Sequence, residues 1–169
     1  MATPIRHGRY TAEADGSFVV FIVGMRINRF WSFTKWVPTF LAMGPMLREL
    51  YQHPEYGFLS YETYLNWRGV TLIQYWRSFD SLEKYAKGGK HLKAWRRFNR
   101  SIGSDGSVGI FHETYVVQSG QYECIYGNMP LYGLAKATKS VPATGKKETA
   151  RRRMAVNNQP IGEEADRYS

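Results

Sequence analysis

Two of the four histidines, His91 and His112, have surroundings that suggest chemistry. His91 opens a helical pattern with Trp95 and Phe98 at steps of 4 and 3. His112 alternates with Val108, Ile110, Thr114 and Val116, which puts it on one face of a strand. They lie 112 − 91 = 21 residues apart, so one α-β unit presents an imidazole from its helix and another from its strand. A neutral imidazole donates a nitrogen lone pair to iron or zinc, and it is also the side chain that most readily moves protons near neutral pH. A flat cofactor held from the helix side by His91, with His112 reaching toward it, is the sharpest use of such a pair. A satisfied, half-buried core histidine at each position is the commoner use. His7 and His53 read as exposed.

Zinc does not fit this pattern, because His112 and Cys124 lack close companion ligands. Imidazole ligation of iron in an apolar pocket suits the pair and the 15% aromatic content better. Those rings equally suit a ring-rich core. Glu62, Glu113 and Glu123 fall in predicted strands, and one of them within reach of His112 would orient it. Salt bridges within the sheet are the plainer role. Cys124 reads as a small buried residue. Being a lone cysteine, it forms no internal disulfide and fits a reducing compartment.

The elements that must position these groups follow from periodicity. Phe18–Ile27 is a continuous apolar, β-branched run and predicts a buried strand. Trp36, Phe40, Met43, Leu47 and Leu50 recur at helical spacing, with Pro45 expected to kink or delay the helix and His53-Pro54 to end it. Phe58–Asn66 and Val70–Arg77 predict a hairpin turning at Gly69. Asp80 with Glu83 has the shape of a capping box for a second helical region, interrupted at Gly88-Gly89 and resumed over Lys90–Arg100. After a turn at Gly103–Gly106 come a strand over Ser107–Val117, a short strand over Tyr122–Tyr126 and a last helical turn at Leu131–Ala137. The order β-α-β-β-α-β is the split βαβ arrangement, so the expected fold is α+β and ferredoxin-like: an antiparallel sheet with helices on one face. The apolar open face then calls for a second copy of the chain, giving a dimeric α/β barrel as a homodimer.

Composition sets the boundaries. The hydrophobic fraction of 43% and charged fraction of 22% exclude a wholly disordered chain. Residues 1–16 read as a flexible N-terminus, 17–137 as the folded domain and 138–169 as a flexible basic tail holding seven cations against four acids. The Arg151–Arg153 run reads as solvated, like most of the basic residues on the second helical region. The formal net charge is +9, but no nucleic-acid-binding signature accompanies it, so a nucleic-acid partner is not expected. No signal-peptide pattern or membrane-spanning run is visible, and the expectation is a cytoplasmic protein with no membrane partner.

The stretches KHLKAWRRF, VGIFHETYVV and QYECIYGNMPLYGL together resemble the C-terminal part of the heme-dependent aldoxime dehydratases. In those proteins a helix histidine ligates the iron, and a strand histidine followed by Glu lies on the distal side, as His112 is followed by Glu113. The resemblance implies heme b as cofactor, His91 as metal ligand, His91, Trp95 and Arg26 as cofactor-binding residues, and His112, Arg26 and Asn28 as catalytic residues. It implies a lyase that turns an aldoxime, a small organic substrate, into a nitrile and water. The family's Arg-Ser step corresponds here to Arg26-Ile27-Asn28, so Asn28 stands in for the serine. These enzymes carry two such halves in one chain, and this chain has one. The sequence also looks like short monooxygenase-like proteins that share the dimeric α/β barrel with antibiotic-biosynthesis monooxygenases, over roughly residues 18–135. A heme-free monooxygenase-like enzyme and a non-enzymatic heme-binding protein are the alternatives.

Overall fold

Phe18–Ile27 does form the expected strand, and it lies in the sheet that also carries His112. In the computed structural model, residues 4–88, 91–92, 95–96, 99 and 105–157 are described. Within them β1 is Arg6–Glu13, β2 Phe18–Ile27, α1 Phe33–Gln52, β3 Phe58–Asn66, β4 Gly69–Trp76, α2 Phe79–Ala86, β5 Val108–Val117, β6 Tyr126–Met129 and β7 Lys139–Pro142. Short helices follow at Gly133–Ala137 and Ala150–Asn157. The chain divides into a unit spanning Val19–Val116 and a second unit made by its two ends.

The Val19–Val116 unit carries the sheet order β3-β4-β2-β5, with β4 antiparallel to both β3 and β2. This is the α+β ferredoxin-like arrangement expected from the element order. Alternation along β2 sorts the side chains. Val19, Met25 and Ile27 are buried on the helix side, with Phe21 partly so. There Val19 packs with Leu50, Phe58, Trp76 and Leu82, and Met25 and Ile27 pack with Val70 and Val108. The buried Trp76 indole donates to Gln74 Oε1 at 2.9 Å, so its polar atom costs little. The β3–β4 hairpin turns at Trp67-Arg68, and a Cβ on Gly69 would collide with the Met25 carbonyl oxygen of the neighbouring strand. Only glycine lets the turn sit this close to β2.

Several local expectations need correction. The long helix runs unbroken through both Pro38 and Pro45, because Trp36, Met43, Leu47 and Leu50 stay packed on the sheet along its length. Phe40 is exposed, and Thr39 is buried in its stead, its hydroxyl donating to the Lys35 carbonyl at 3.0 Å. The helix α2 is capped by Ser78, whose Oγ accepts from the Ser81 amide at 3.1 Å; Asp80 lies inside the helix. Of the second helical piece, Lys90–Arg100, residues His91, Leu92, Trp95, Arg96 and Asn99 are helical, while Lys90, Lys93, Ala94, Arg97, Phe98 and Arg100 lie outside the described residues, as do Gly89, Gly103 and Ser104.

The other unit holds a sheet of order β6-β1-β7, with β1 antiparallel to both neighbours. Residues 6–13, read from sequence as part of a loose N-terminus, are thus its central strand. Residues 139–142 and 150–157, read as flexible tail, form a strand and a helix. Average composition hid them: Thr11, Ala12 and Ala143 are small residues that bury well among charged neighbours. The short strand expected at Tyr122–Tyr126 begins instead at Tyr126. Just before it, Cys124 is held to β1 by its carbonyl, which accepts from Thr11 Oγ1 at 2.7 Å, and by its sulfur, which accepts from the Ala12 amide at 3.3 Å. Residues 158–169 of the expected tail lie outside the described residues.

Candidate functional site

His91 sits just after α2. Its Nδ1 is 3.0 Å from the Ala86 carbonyl oxygen. A carbonyl only accepts, so Nδ1 carries the proton and donates, and in its neutral form the ring would present its lone pair at Nε2. The imidazole ring lies 5.1 Å from the Tyr85 ring. Tyr85 in turn contacts Trp76 and Tyr56, each at 5.6 Å between centroids. The Tyr85 hydroxyl is buried and has no hydrogen-bond partner among the described residues. Burial pushes its phenol up to about 12, helped by the nearby Glu49 carboxylate and Tyr56.

His112 stands on β5, two residues beyond Ile110, and faces the same side of the sheet as the helices. Its ring lies 5.7 Å from that of Phe21, which packs against the cluster containing Trp76, Leu50 and Tyr85. Both imidazoles therefore border one aromatic cluster, His91 through Tyr85 and His112 through Phe21. Trp95 is helical and 42% exposed, one turn beyond His91.

Arg26 and Asn28 are placed elsewhere. Met25 and Ile27 fill the helix side, so the residues between and beside them point to the other face. A Cβ built on Gly109 would stand 3.9 Å from Arg26 Cβ and 3.5 Å from Asn28 Nδ2, which fixes that face on β5 as well. Arg26 Nε donates to Asn28 Oδ1 at 3.1 Å, and Asn28 Nδ2 donates to the Gly106 carbonyl at 2.9 Å. These two side chains tie the end of β2 to the turn before β5. They do not join His112, which corrects the grouping of all three in one catalytic set. The same turn is anchored by Asp105, which accepts from Lys35 Nζ at 2.8 Å, from the Ser107 amide at 3.0 Å and from Ser107 Oγ at 2.8 Å. The Lys35 ammonium and the Ser107 donors hold the Asp105 carboxyl far below the ordinary carboxylate range.

Glu62 and Glu113 lie on the face away from His112, and Glu123, just before β6, belongs to the other unit. Glu113 points to the face opposite His112 and accepts a 2.5 Å hydrogen bond from the Tyr115 hydroxyl, which raises that phenol. Glu62 pairs in register with Ile73, itself opposite Ile22, and so lies on the Arg26 face. Glu123 is bound by Arg153. Periodicity missed the residues that frame His91. Tyr85 follows the buried Leu82 by three residues and was visible as part of an apolar helix face, but the Ala86 carbonyl carries no side-chain signal. No group of three or more His, Cys, Asp or Glu among the described residues is arranged to hold a metal ion. A heme iron can be held through a single imidazole, which is a different kind of site.

Comparison with known proteins gives the family. The monooxygenase af470-like family matches residues 18–134. Monooxygenase af470 of Aspergillus fumigatus is 34% identical over 135 residues, covering 72% of this chain and 46% of that protein. The chain thus spans about half the length of this relative. An aldoxime dehydratase solved in complex with butyraldoxime superposes with a TM-score of 0.62 at 14% identity, over 89% of this chain and 44% of that one. A second aldoxime dehydratase structure gives 0.59 at 14% identity, with the same coverage. At that identity the likeness is one of fold. The family match runs from the first strand of the four-stranded sheet through β5 and on to the short helix at Gly133, and on that ground the chain belongs to the monooxygenase af470-like family.

Proposed function

We propose that this protein is a heme-binding enzyme acting on a small organic substrate, with His91 as the iron ligand and His112 as the general acid and base. The observation that carries the reading is the His91 Nδ1–H bond to the Ala86 carbonyl. It sets the tautomer, orients the ring and leaves Nε2 as the atom that would hold the iron. The rings beside it support the fit, since Tyr85 and Phe21 are only partly buried and offer apolar surface of the kind a macrocycle needs. The unpartnered Tyr85 hydroxyl next to His91 is a polar atom that a bound group would satisfy.

Bound there, heme b would supply an electron-accepting iron that polarises a nitrogen- or oxygen-bearing substrate. The chain's own residues supply the rest. For an aldoxime, His112 gives a proton to the hydroxyl oxygen as the N–O bond breaks, and water leaves. The same imidazole then takes the proton from the neighbouring carbon, so the product is a nitrile and no net oxidation occurs. Phe21 packs against the His112 ring and restricts its rotation. Arg26 and Asn28 serve this site indirectly, by fixing the turn from which β5 starts. A second copy of the chain, covering the face that bears Phe111 and Tyr115, would complete the barrel as a homodimer. The lone cysteine suits a cytoplasmic setting.

The test is an absorbance titration of the full chain with hemin. A Soret band shifted from that of free hemin, lost in His91→Ala and kept in His112→Ala, supports the assignment. His112→Ala should then lower aldoxime turnover by about 10²- to 10⁴-fold. Full turnover in His112→Ala refutes its acid–base role, and heme retained with no turnover in either form leaves a non-enzymatic heme-binding protein. A second reading, a heme-free monooxygenase, is favoured by the match to the monooxygenase af470-like family. A protein that takes up no hemin supports that reading and overturns the first.

A further inference from the structure

The β2–α1 loop and the β3–β4 turn meet at one end of the four-stranded sheet. The Ile27 amide donates to the Arg68 carbonyl at 2.6 Å, and Arg68 reaches back to the Asn28 carbonyl at 3.5 Å. The rings of Phe30 and Trp67 touch edge to face at 5.6 Å, and the Arg68 guanidinium lies 5.4 Å from the Phe30 ring centre. The Trp36 indole donates to the Phe30 carbonyl at 3.0 Å and holds the loop down on α1. On this braced platform Trp31 is 91% exposed and Trp67 83% exposed, with Phe33 also exposed beside them. Single exposed apolar side chains are ordinary; two nearly bare indoles on adjoining turns are not.

Charge decides what such a tip would meet. Residues 26–36 and 63–70 contain Arg26, Arg29, Lys35 and Arg68 and no carboxylate. Lys35 is taken up by Asp105, which leaves three arginines around the indoles. A second copy of this chain would bring an equally cationic tip, on a molecule of net charge +9, against the first. An anionic lipid surface matches both features, since indoles settle at the level of the headgroups and arginines pair with the phosphates. We propose that the Trp31 and Trp67 tip docks this protein reversibly on an anionic membrane surface, with Arg26, Arg29 and Arg68 on the headgroups. This differs from crossing a membrane, for which no helix among the described residues is long and apolar enough. It replaces the expectation of no membrane partner, which rested on the absence of a spanning run.

The test is co-sedimentation of the full chain with phosphatidylcholine vesicles, alone or with about one-third phosphatidylserine. Binding should require phosphatidylserine and weaken as salt rises, because screening shortens the reach of the arginines. Trp31→Ala with Trp67→Ala should lower partitioning about tenfold or more, each indole losing its buried apolar area. Arg29→Gln, a milder change at an exposed residue, should lower it about fivefold and covers the case in which the double variant misfolds. Wild-type protein left in the supernatant at low salt overturns the proposal, as does binding that both variants retain in full. A fall in molar mass by light scattering in the tryptophan variant would make the tip a contact between copies and overturn it as well. None of these readouts depends on heme or turnover.

Discussion

Arg151, Arg152 and Arg153 are three consecutive arginines with different fates, and replacing each by alanine should separate them. Arg153 is 4% exposed, while Arg151 and Arg152 are exposed. Its Nε donates to Glu123 Oε1 at 2.6 Å, and a second guanidinium nitrogen pairs with the same oxygen. Its remaining donors reach the Lys147 carbonyl at 3.0 Å and the Glu148 carbonyl at 2.9 Å. Arg153→Ala therefore strands one largely buried carboxylate and two carbonyls, and breaking a buried pair from one side costs about 3 kcal/mol. Arg151→Ala and Arg152→Ala remove only solvated charge and should stay within roughly 0.5 kcal/mol. For a chain of this size, Arg153→Ala should lower the melting temperature by about 10 °C, at roughly 3 °C per kcal/mol. All five tryptophans lie between residues 31 and 95, so indole fluorescence reports the Val19–Val116 unit alone and far-ultraviolet circular dichroism reports both units. The circular dichroism melt should shift, and amide exchange in β1 and β7 should accelerate. Three alanine variants that melt together would refute the assignment of Arg153 as the buried anchor of the C-terminal segment.

Two further perturbations test the environment of the site. The Tyr85 hydroxyl is buried without a partner, so Tyr85→Phe should leave stability at pH 7 unchanged or raise it by up to about 1 kcal/mol. The folded phenol sits near 12, above its unfolded value, so its contribution is intact below pH 10 and declines as pH rises from 10 toward 12; Tyr85→Phe should flatten that part of the alkaline unfolding curve, and a steeper curve would count against it. Asp105 has the opposite sign. Its carboxyl is held below the ordinary range, so the stability it lends is present above that range and is lost as pH falls. Asp105→Asn and Lys35→Met should each make the acid unfolding curve shallower, and an unchanged curve in both would show that the turn before β5 does not depend on this pair.

Much of the Val19–Val116 unit was legible in the chain because its elements declare themselves locally. The β2 run, the heptad-like spacing of α1 and the glycine at the hairpin each carry their own signal. The β1–β7 pairing does not. Tyr10 meets Pro142 and Glu13 meets Lys139 across more than a hundred residues, and neither segment is apolar enough to announce a strand. Alternation placed His112 on the right face of β5 relative to Val108 and Ile110, yet the same rule could not relate that face to β2. Period 2 tells which residues of one strand share a side; only inter-strand register tells which side of the next strand they join. That is why the sequence offered no check on the resemblance, which groups Arg26 with His112, whereas Arg26 lies on the other face of the sheet, with Gly109.

The two faces of this sheet divide the work differently from a barrel whose site lies between copies. His91, Tyr85, Phe21 and His112 are all on the helix side and all within Val19–Val116. The opposite face carries the Arg26–Asn28 clamp, the Glu113–Tyr115 pair and the Phe111 ring, which packs so tightly over Gly24 that a Cβ there would come within 2.7 Å of it. A second copy that covers that face would stabilise the sheet without lending a ligand or a proton carrier to the imidazole pair. The heme reading and the homodimer reading are thus physically independent: a wild-type protein that is monomeric by light scattering and still shows the His91-dependent Soret band supports the first and removes only the second. The membrane-facing tip adds a third surface, at the end of the strands, where neither the cluster nor the covered face reaches. One small sheet accommodates all three because the strand period and the hairpin separate its two sides and its end.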